Sequence, residues 1–306
     1  MGGSLHRGIR PPGSLMTWLE DSLEQIADDA AVEFTVSARH LGTGTRFDVR
    51  ADVPWTAGST YKLIVAAAWL EATAEGIVDP RRRILVDEHV RRDGPTGLSL
   101  SDDPVELSYR DLVRSMLIVS DNTAAHWIWS DLGAEYIQEK LNTWGADATS
   151  IVDTGRQDFS RRELTTGDDL WPNELEMFTS EKTDLQLFSV TSASDLRAIL
   201  ERLWTNQLAT PELCSWMRAV LGQQLFRHRL ASGFDYDGVE VAGKTGTWGP
   251  YRHEAGAVTH PGEPPVIISV MTRSARAAQQ QPLAHAAVGH IAAVIVQAMR
   301  QGWTGE

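Results

Sequence analysis

Hydrophobic and polar positions recur along this chain with two periods, one typical of helices and the other typical of strands. Apolar residues at helical spacing predict helices over residues 16–30, 108–119, 123–129, 134–143, 194–205, 211–221 and 282–299. Apolar and β-branched residues in alternation predict strands over residues 31–39, 45–49, 239–247, 255–259 and 266–272. A continuous apolar run over residues 63–70 predicts a further, buried helix that starts near Ser59.

The predicted strands lie near the two ends of the chain, with the helices between them. This order predicts an α+β fold with a five-stranded antiparallel sheet flanked by the terminal helices, plus an all-helical lobe. Residues 16–62 and 211–306 are predicted to form the α/β lobe after a flexible tail over residues 1–15. Residues 63–210 are predicted to form the helical lobe, including a long polar loop over residues 153–190. A cleft between the lobes is the expected place for a site.

The charge and the cysteine and histidine content of the chain indicate which kinds of ligand and partner to expect. The chain has 306 residues, of which 42% are hydrophobic, and a formal net charge of −13. This acidic balance argues against nucleic acid and anionic membranes as partners. Cys214 is the only cysteine, so no internal disulfide can form, and the scattered histidines do not predict a metal site or a cofactor.

The first residues carry no pattern typical of a targeting segment. Residues 1–15 are polar and lack the apolar core of a signal peptide, and residues 291–299 are apolar but too short to span a bilayer. We therefore expect a cytoplasmic protein without a membrane span, or a periplasmic or secreted one if an export signal has been removed. The oligomeric state is open.

Ser59 and Lys62 form an S-x-x-K motif at the predicted start of the buried helix. Residues three apart on a helix share a face, so the hydroxyl and the amine are expected to meet. The helix N-terminus adds unpaired N–H groups beside the serine. A nucleophilic serine needs a base and oxyanion donors, and this stretch offers both. One such motif is expected by chance in a chain of this length.

Two further polar motifs lie downstream. Ser120-Asp121-Asn122 follows the predicted helix 108–119, where these residue types also serve as ordinary N-caps. Lys244-Thr245-Gly246-Thr247 ends a predicted strand. A lysine and two hydroxyls at an edge strand suit a carboxylate ligand, although an edge lysine also serves simply to prevent aggregation.

Taken together, the order S-x-x-K, S-D-N, K-T-G resembles the penicillin-recognising serine enzymes, and most closely the class A β-lactamases. The resemblance covers roughly residues 16–300 and implies a β-lactamase/transpeptidase-like fold. It implies that Ser59 is the acylated nucleophile and that Lys62 takes its proton, directly or through water. It further implies that Ser120 passes a proton to the leaving nitrogen.

The same resemblance implies the substrate contacts. Asn122 is expected to bind the acyl-side amide, and Lys244 and Thr245 the substrate carboxylate. The N–H groups of Ser59 and Thr247 are expected to form the oxyanion hole. An arginine of the family helps to anchor the carboxylate; Arg252 lies close to the expected strand edge, and Arg273 is the other candidate.

One stretch departs from the family pattern. Class A β-lactamases hydrolyse the acyl-enzyme with a glutamate in a pattern like Trp-Glu-Pro-Glu-Leu-Asn, whereas this chain reads Trp171-Pro172-Asn173-Glu174-Leu175-Glu176. Glu174 is the candidate for the deacylation base, with Glu176 or Glu163 as alternatives in a rebuilt loop. Without such a base the acyl-enzyme is expected to be long-lived.

The sequence thus predicts a serine hydrolase that opens a β-lactam or a similar cyclic amide, with a small molecule as its substrate. One alternative is a cytoplasmic biosynthetic amidase, esterase or acyltransferase on the same scaffold. Others are a slowly deacylating penicillin-binding protein and a binding protein that is acylated and signals without turnover.

Overall fold

The computed structural model describes residues 15–152, 188–275 and 280–303. The helices in these ranges are α1 (Leu15–Ala30), α2 (Tyr61–Ala74), α3 (Tyr109–Ile118), α4 (Asn122–Leu132), α5 (Ala134–Trp144), α6 (Ala193–Trp204), α7 (Pro211–Leu221) and α8 (Pro282–Arg300). The strands are β1 (Val32–His40), β2 (Arg46–Val49), β3 (Trp55–Thr56), β4 (Arg83–Val86), β5 (Val105–Ser108), β6 (Val190–Thr191), β7 (Glu240–Trp248), β8 (Tyr251–Thr259) and β9 (Val266–Ser274).

Five strands form the main sheet in the order β2-β1-β9-β8-β7. All neighbouring pairs are antiparallel, and the pairing of β1 with β9 joins the two ends of the chain, with Val36 opposite Val270. The α+β prediction with a five-stranded antiparallel sheet is therefore confirmed. Strand β7 lies at one edge of this sheet.

Each face of the sheet carries its own core. Leu19 and Leu23 of α1 and the small buried residues of α8 pack on one face, where Val270 also points. Helix α6 and the helical part of the chain cover the other face, where Ile267 and Met271 point. Alternation along the strands explains this division, because successive side chains of a strand point to opposite faces. Helix α8 has the length and apolarity of a membrane span, but it is mostly buried in this core.

Helix α2 is the centre of the helical part. Eleven of its fourteen residues are buried, including Lys62 at its start. A helix that is apolar all round needs neighbours on every side, and α3, α4, α5 and α6 all contact it. The turn that carries Ser59 is therefore fixed to a deeply buried helix.

A short hairpin in the helical part was not predicted. Strands β4 and β5 pair antiparallel, and Ile84 and Val86 face inward while Arg83 and Leu85 are exposed. The exposed Leu85 stands between Ile84 and Val86, so the apolar and polar alternation typical of a strand is missing from the sequence. The predicted loop 153–190 lies mostly outside the described residues; its end forms β6, which pairs with β3.

Candidate active site

Ser59 lies in a 3-10 turn, Gly58–Thr60, that leads directly into α2. The side chain of Thr60 closes this turn by donating to the carbonyl of Ala57 at 2.6 Å. Strand β7 passes very close to the turn: a Cβ atom at Gly58 would lie 2.8 Å from the backbone nitrogen of Thr247. The main chain of Thr247 is therefore brought beside Ser59, as the predicted oxyanion hole requires.

The side chain of Lys62 is fully buried and connects α2 with the Ser-Asp-Asn segment. Its Nζ atom donates to the carbonyl of Ser120 and to Oδ1 of Asn122, both at 2.6 Å, and lies 3.3 Å from Oγ of Ser120. Asn122 in turn donates from Nδ2 to the carbonyl of Asp93 at 3.0 Å. The structure thus brings Lys62, Ser120 and Asn122 together.

The N-cap of α4 is Asp121, and this frees Ser120 and Asn122 for the cleft. The buried Asp121 carboxylate accepts from the N–H of Ala124 at 3.1 Å, the N–H of Leu98 at 2.8 Å and the hydroxyl of Ser115 at 2.7 Å. Asp121 therefore caps the helix, while its neighbours Ser120 and Asn122 contact Lys62. From the sequence alone, capping and a role in the site are alternative interpretations of this motif.

Lys244 approaches the same hydroxyl from β7. Its Nζ atom donates to Oγ of Ser120 at 3.0 Å and to the carbonyl of Thr245 at 2.9 Å. Burial lowers the pKa of Lys244 well below its usual range, and the charge of Lys62 acts in the same direction, against the opposing carboxylate of Glu254. The hydroxyl of Ser120 consequently lies between two amines, a position suited to passing a proton.

Arg229 places a buried guanidinium against the end of β7. It lies just before Leu230–Phe234, is buried, and donates from Nη1 to the carbonyls of Gly246 at 2.6 Å and His253 at 2.8 Å, while Nη2 contacts the hydroxyl of Thr247. Its Nε atom donates to Nδ1 of His285 at 2.9 Å. Burial lowers the pKa of Arg229 to about 9, so the group is still a cation at neutral pH.

The two arginines expected from the sequence lie on β8 and β9. Arg252 on β8 donates from Nη1 to the carbonyls of Gly249 at 2.6 Å and Tyr251 at 2.8 Å, within its own turn. Arg273 forms an ion pair with Glu33 at 3.0 Å. Arg252 stands opposite Thr247 in the pairing of β7 with β8, and its anchoring role stays a prediction. Arg229 is a second candidate, which strand spacing does not locate because it comes from the segment after α7.

The hydroxyl of Thr245, expected to bind the substrate carboxylate, is hydrogen-bonded inside the protein. The hydroxyl and the N–H of Thr245 both point to Oε1 of Gln224, at 3.0 and 2.8 Å. Glu174, with the alternatives Glu176 and Glu163, lies outside the described residues. Within residues 15–152, 188–275 and 280–303 no group of His, Cys, Asp and Glu could hold a metal ion.

Comparisons with known proteins agree with this geometry. The chain is similar to the beta-lactamase regulatory protein BlaB of Streptomyces cacaoi, with 26% identity over 310 residues that cover 94% of this chain and 98% of that protein. Its fold is similar to the structure of PBP-A, with a TM-score of 0.76 and 18% identity over 96% of this chain and 100% of that chain. An ancestral class A beta-lactamase gives a TM-score of 0.74 and 21% identity over 92% and 99%.

These structural likenesses show that the fold is of the class A beta-lactamase type. The model of the beta-lactamase enzyme family matches residues 18–299, which is nearly all of the chain and includes every motif described above. The chain therefore belongs to the beta-lactamase enzyme family.

Proposed function

We propose that this chain is a serine hydrolase that opens a β-lactam or a similar cyclic amide through an acyl-enzyme on Ser59. One observation carries the proposal: the hydroxyl of Ser120 lies between the amines of Lys62 and Lys244, next to the turn that holds Ser59. A serine at a buried helix start, two amines and a bridging hydroxyl are the parts that acyl transfer to and from an amide nitrogen requires.

The acylation step follows from these positions. Oγ of Ser59 attacks the amide carbonyl and loses its proton to the neutral amine of Lys62, directly or through water. This step uses Lys62 as a neutral amine, and its Nζ atom is fully buried beside the hydroxyl of Ser120. The N–H groups of Ser59 and Thr247 stabilise the oxyanion, a contribution of about 10²–10³ in rate for one donor.

The bond to the leaving nitrogen then breaks. Ser120 donates its proton to that nitrogen, and Lys62 passes the proton that it took from Ser59 to Ser120. The serine ester and the free amine therefore form with no net change in protons. Lys244, Arg229 and Thr247 bind the substrate carboxylate, and Asn122 binds the acyl-side amide. A water molecule finally hydrolyses the ester and restores Ser59.

A slowly deacylating penicillin-binding protein is the second candidate. It is favoured by the departure at residues 171–176, where proline and asparagine replace the expected glutamate. The similarity to a protein named as a regulatory protein and to PBP-A is consistent with it. In this case acylation proceeds through the same residues, and the ester persists.

Intact-mass spectrometry with excess benzylpenicillin tests both candidates. The wild-type chain and Ser59→Ala are sampled over time, and the product is measured in parallel. A transient adduct with accumulating product supports the hydrolase, and a persistent single adduct supports the penicillin-binding protein. Product formation by Ser59→Ala would overturn the acyl-enzyme mechanism, and the absence of both adduct and product would favour a different amide or ester as substrate.

A further inference from the structure

A buried carboxylate lies on the sheet face behind the candidate site. Glu254 is 1% exposed and stands on β8 directly opposite Thr245 of β7. Its Oε2 atom accepts from the N–H of Leu230 and its Oε1 atom accepts from Nε2 of Gln224, both at 2.8 Å. A buried charge persists only where such partners compensate for the loss of water. The mechanism above makes no use of Glu254.

Gln224 connects this carboxylate with the strand of the site. While its Nε2 atom donates to Glu254, its Oε1 atom accepts both the N–H and the hydroxyl of Thr245. The carbonyl of Thr245 accepts from Nζ of Lys244, which also donates to Ser120. A continuous series of hydrogen bonds therefore runs from Leu230 to the hydroxyl of Ser120.

The N–H groups at the two ends of the segment Leu230–Glu254–Gln224–Thr245 restrict which side chains can satisfy all of its hydrogen bonds. The N–H of Leu230 and the N–H of Thr245 can only donate. The Gln224 amide accepts at one side and donates at the other, so it cannot satisfy both ends alone. One group between them must accept twice, and an ionised carboxylate is the side chain that does so. An amide or a protonated acid at position 254 leaves one N–H unpaired.

We propose that Glu254 is a positioning residue. It acts through Gln224 to hold the backbone of β7 at Thr245, and this in turn positions the neighbouring Lys244, whose amine contacts Ser120. The role rests on the proposed function, since it concerns the same reaction. Glu254 touches neither the substrate nor the reacting atoms. It fixes the N–H and the hydroxyl proton of Thr245 away from the cleft, so the substrate carboxylate is left to Lys244, Arg229 and Thr247.

The need for a carboxylate between Leu230 and Thr245 can be tested by transferring it from position 254 to position 224. Glu254→Gln places two donors against each other, so hydrogen exchange of the Leu230 or the Thr245 amide is expected to accelerate at least about tenfold, with a similar loss in the rate of Ser59 acylation. In the double variant Glu254→Gln/Gln224→Glu the new carboxylate at position 224 accepts from Thr245 and from the amide at position 254. That amide accepts from Leu230, so slow exchange and fast acylation are expected to return.

Two measurements keep this test separate from the proposed function. Hydrogen exchange of the peptides that cover Leu230 and β7 needs no substrate, so it reports on the hydrogen bonds even if the wild-type chain is not acylated. Gln224→Met breaks the series without changing Glu254 and serves if Glu254→Gln does not fold. Unchanged exchange at both Leu230 and Thr245 in Glu254→Gln, or a double variant no better than Glu254→Gln, would overturn the proposal.

Discussion

Ser120 has a backbone φ of +60°, in the left-handed region that residues other than glycine rarely occupy. Such a conformation costs of order 1–3 kcal/mol and persists only where the surroundings hold it. Here the three hydrogen bonds to Asp121 hold it. In this conformation the carbonyl and the hydroxyl of Ser120 both contact Nζ of Lys62.

Removal of this support is expected to be costly. Asp121→Ala leaves three donors in the interior without an acceptor, so we expect the free energy of unfolding to fall by about 2–4 kcal/mol. Thr210→Ala removes the N-cap of α7, which accepts only from Leu213, and is expected to cost about 1 kcal/mol. Urea unfolding measures both. Equal costs for the two variants would show that Asp121 is an ordinary cap.

The assignment of Arg229 gives a second prediction. Arg229→Lys keeps the charge but loses the planar fork that reaches Gly246, His253 and Thr247 at once. We expect acylation by benzylpenicillin to slow by about tenfold or more. Arg252→Lys, in a neighbouring and equally cationic position, is expected to change the rate less than threefold, a margin of roughly 0.6 kcal/mol. The reverse order would return the anchoring role to Arg252.

At the scale of elements, the close passage of β7 over the turn before α2 depends on glycine. Gly58→Ala adds a Cβ that meets the backbone of Thr247 and also strains a φ of +48°. Gly76→Ala introduces comparable strain at a φ of +75° with no atom within 4 Å. It is therefore the matched control.

We expect Gly76→Ala to lower the free energy of unfolding by about 1–2 kcal/mol without affecting acylation. Gly58→Ala is expected to lower it further and to abolish acylation, since β7 must move away from Ser59. Thermal unfolding and the intact-mass assay measure these effects. Normal acylation of Gly58→Ala would mean that the spacing between β7 and the turn is not critical.

The elements show which parts of the fold a sequence can reveal. Helix α2 was predicted from one continuous apolar run, and the sheet from alternation, because burial of one face leaves a local pattern. The hairpin of β4 and β5 leaves a weak pattern, since Arg83 and Leu85 face outward beside charged neighbours. Strand β8 extends back to Tyr251 through Arg252, His253 and Glu254, polar residues that a reading of apolar alternation excludes.

The same reasoning separates the site residues. Ser59, Lys62, Ser120 and Lys244 were identified because each lies in a short motif of fixed spacing. Arg229 and Glu254 reach the site through the pairing of β7 with β8 and through the segment after α7, so no local spacing marks them. Glu254 follows Arg252 and His253, so its charge did not stand out in the sequence.

For the whole molecule, buried histidine makes stability depend on pH. His253 donates from Nε2 to the carbonyl of Thr56 and accepts from the N–H of Thr272 at Nδ1, so the neutral ring satisfies both. Burial lowers its pKa to about 3, against about 6.5 for a free side chain. The unfolded chain therefore binds a proton between these values that the folded chain does not, and stability falls as the pH is lowered through this range.

We expect this residue to contribute up to about 1.4 kcal/mol per pH unit to the loss below pH 6.5. His253→Gln retains one donor and one acceptor and does not titrate, so its unfolding free energy is expected to depend less on pH. His89→Gln, at an exposed position, is the control. Urea titrations between pH 7 and pH 4 compare the three chains, and identical slopes would contradict the role of His253.

The pairing of β1 with β9 has a consequence for biosynthesis. The hairpin of β1 and β2 leaves the ribosome more than two hundred residues before its partner strand, since Val36 pairs with Val270. At usual rates of translation the nascent chain waits on the order of tens of seconds with an open strand edge. Chaperones that shield this edge are therefore expected to determine the yield of folded enzyme more than the strength of any contact at Ser59.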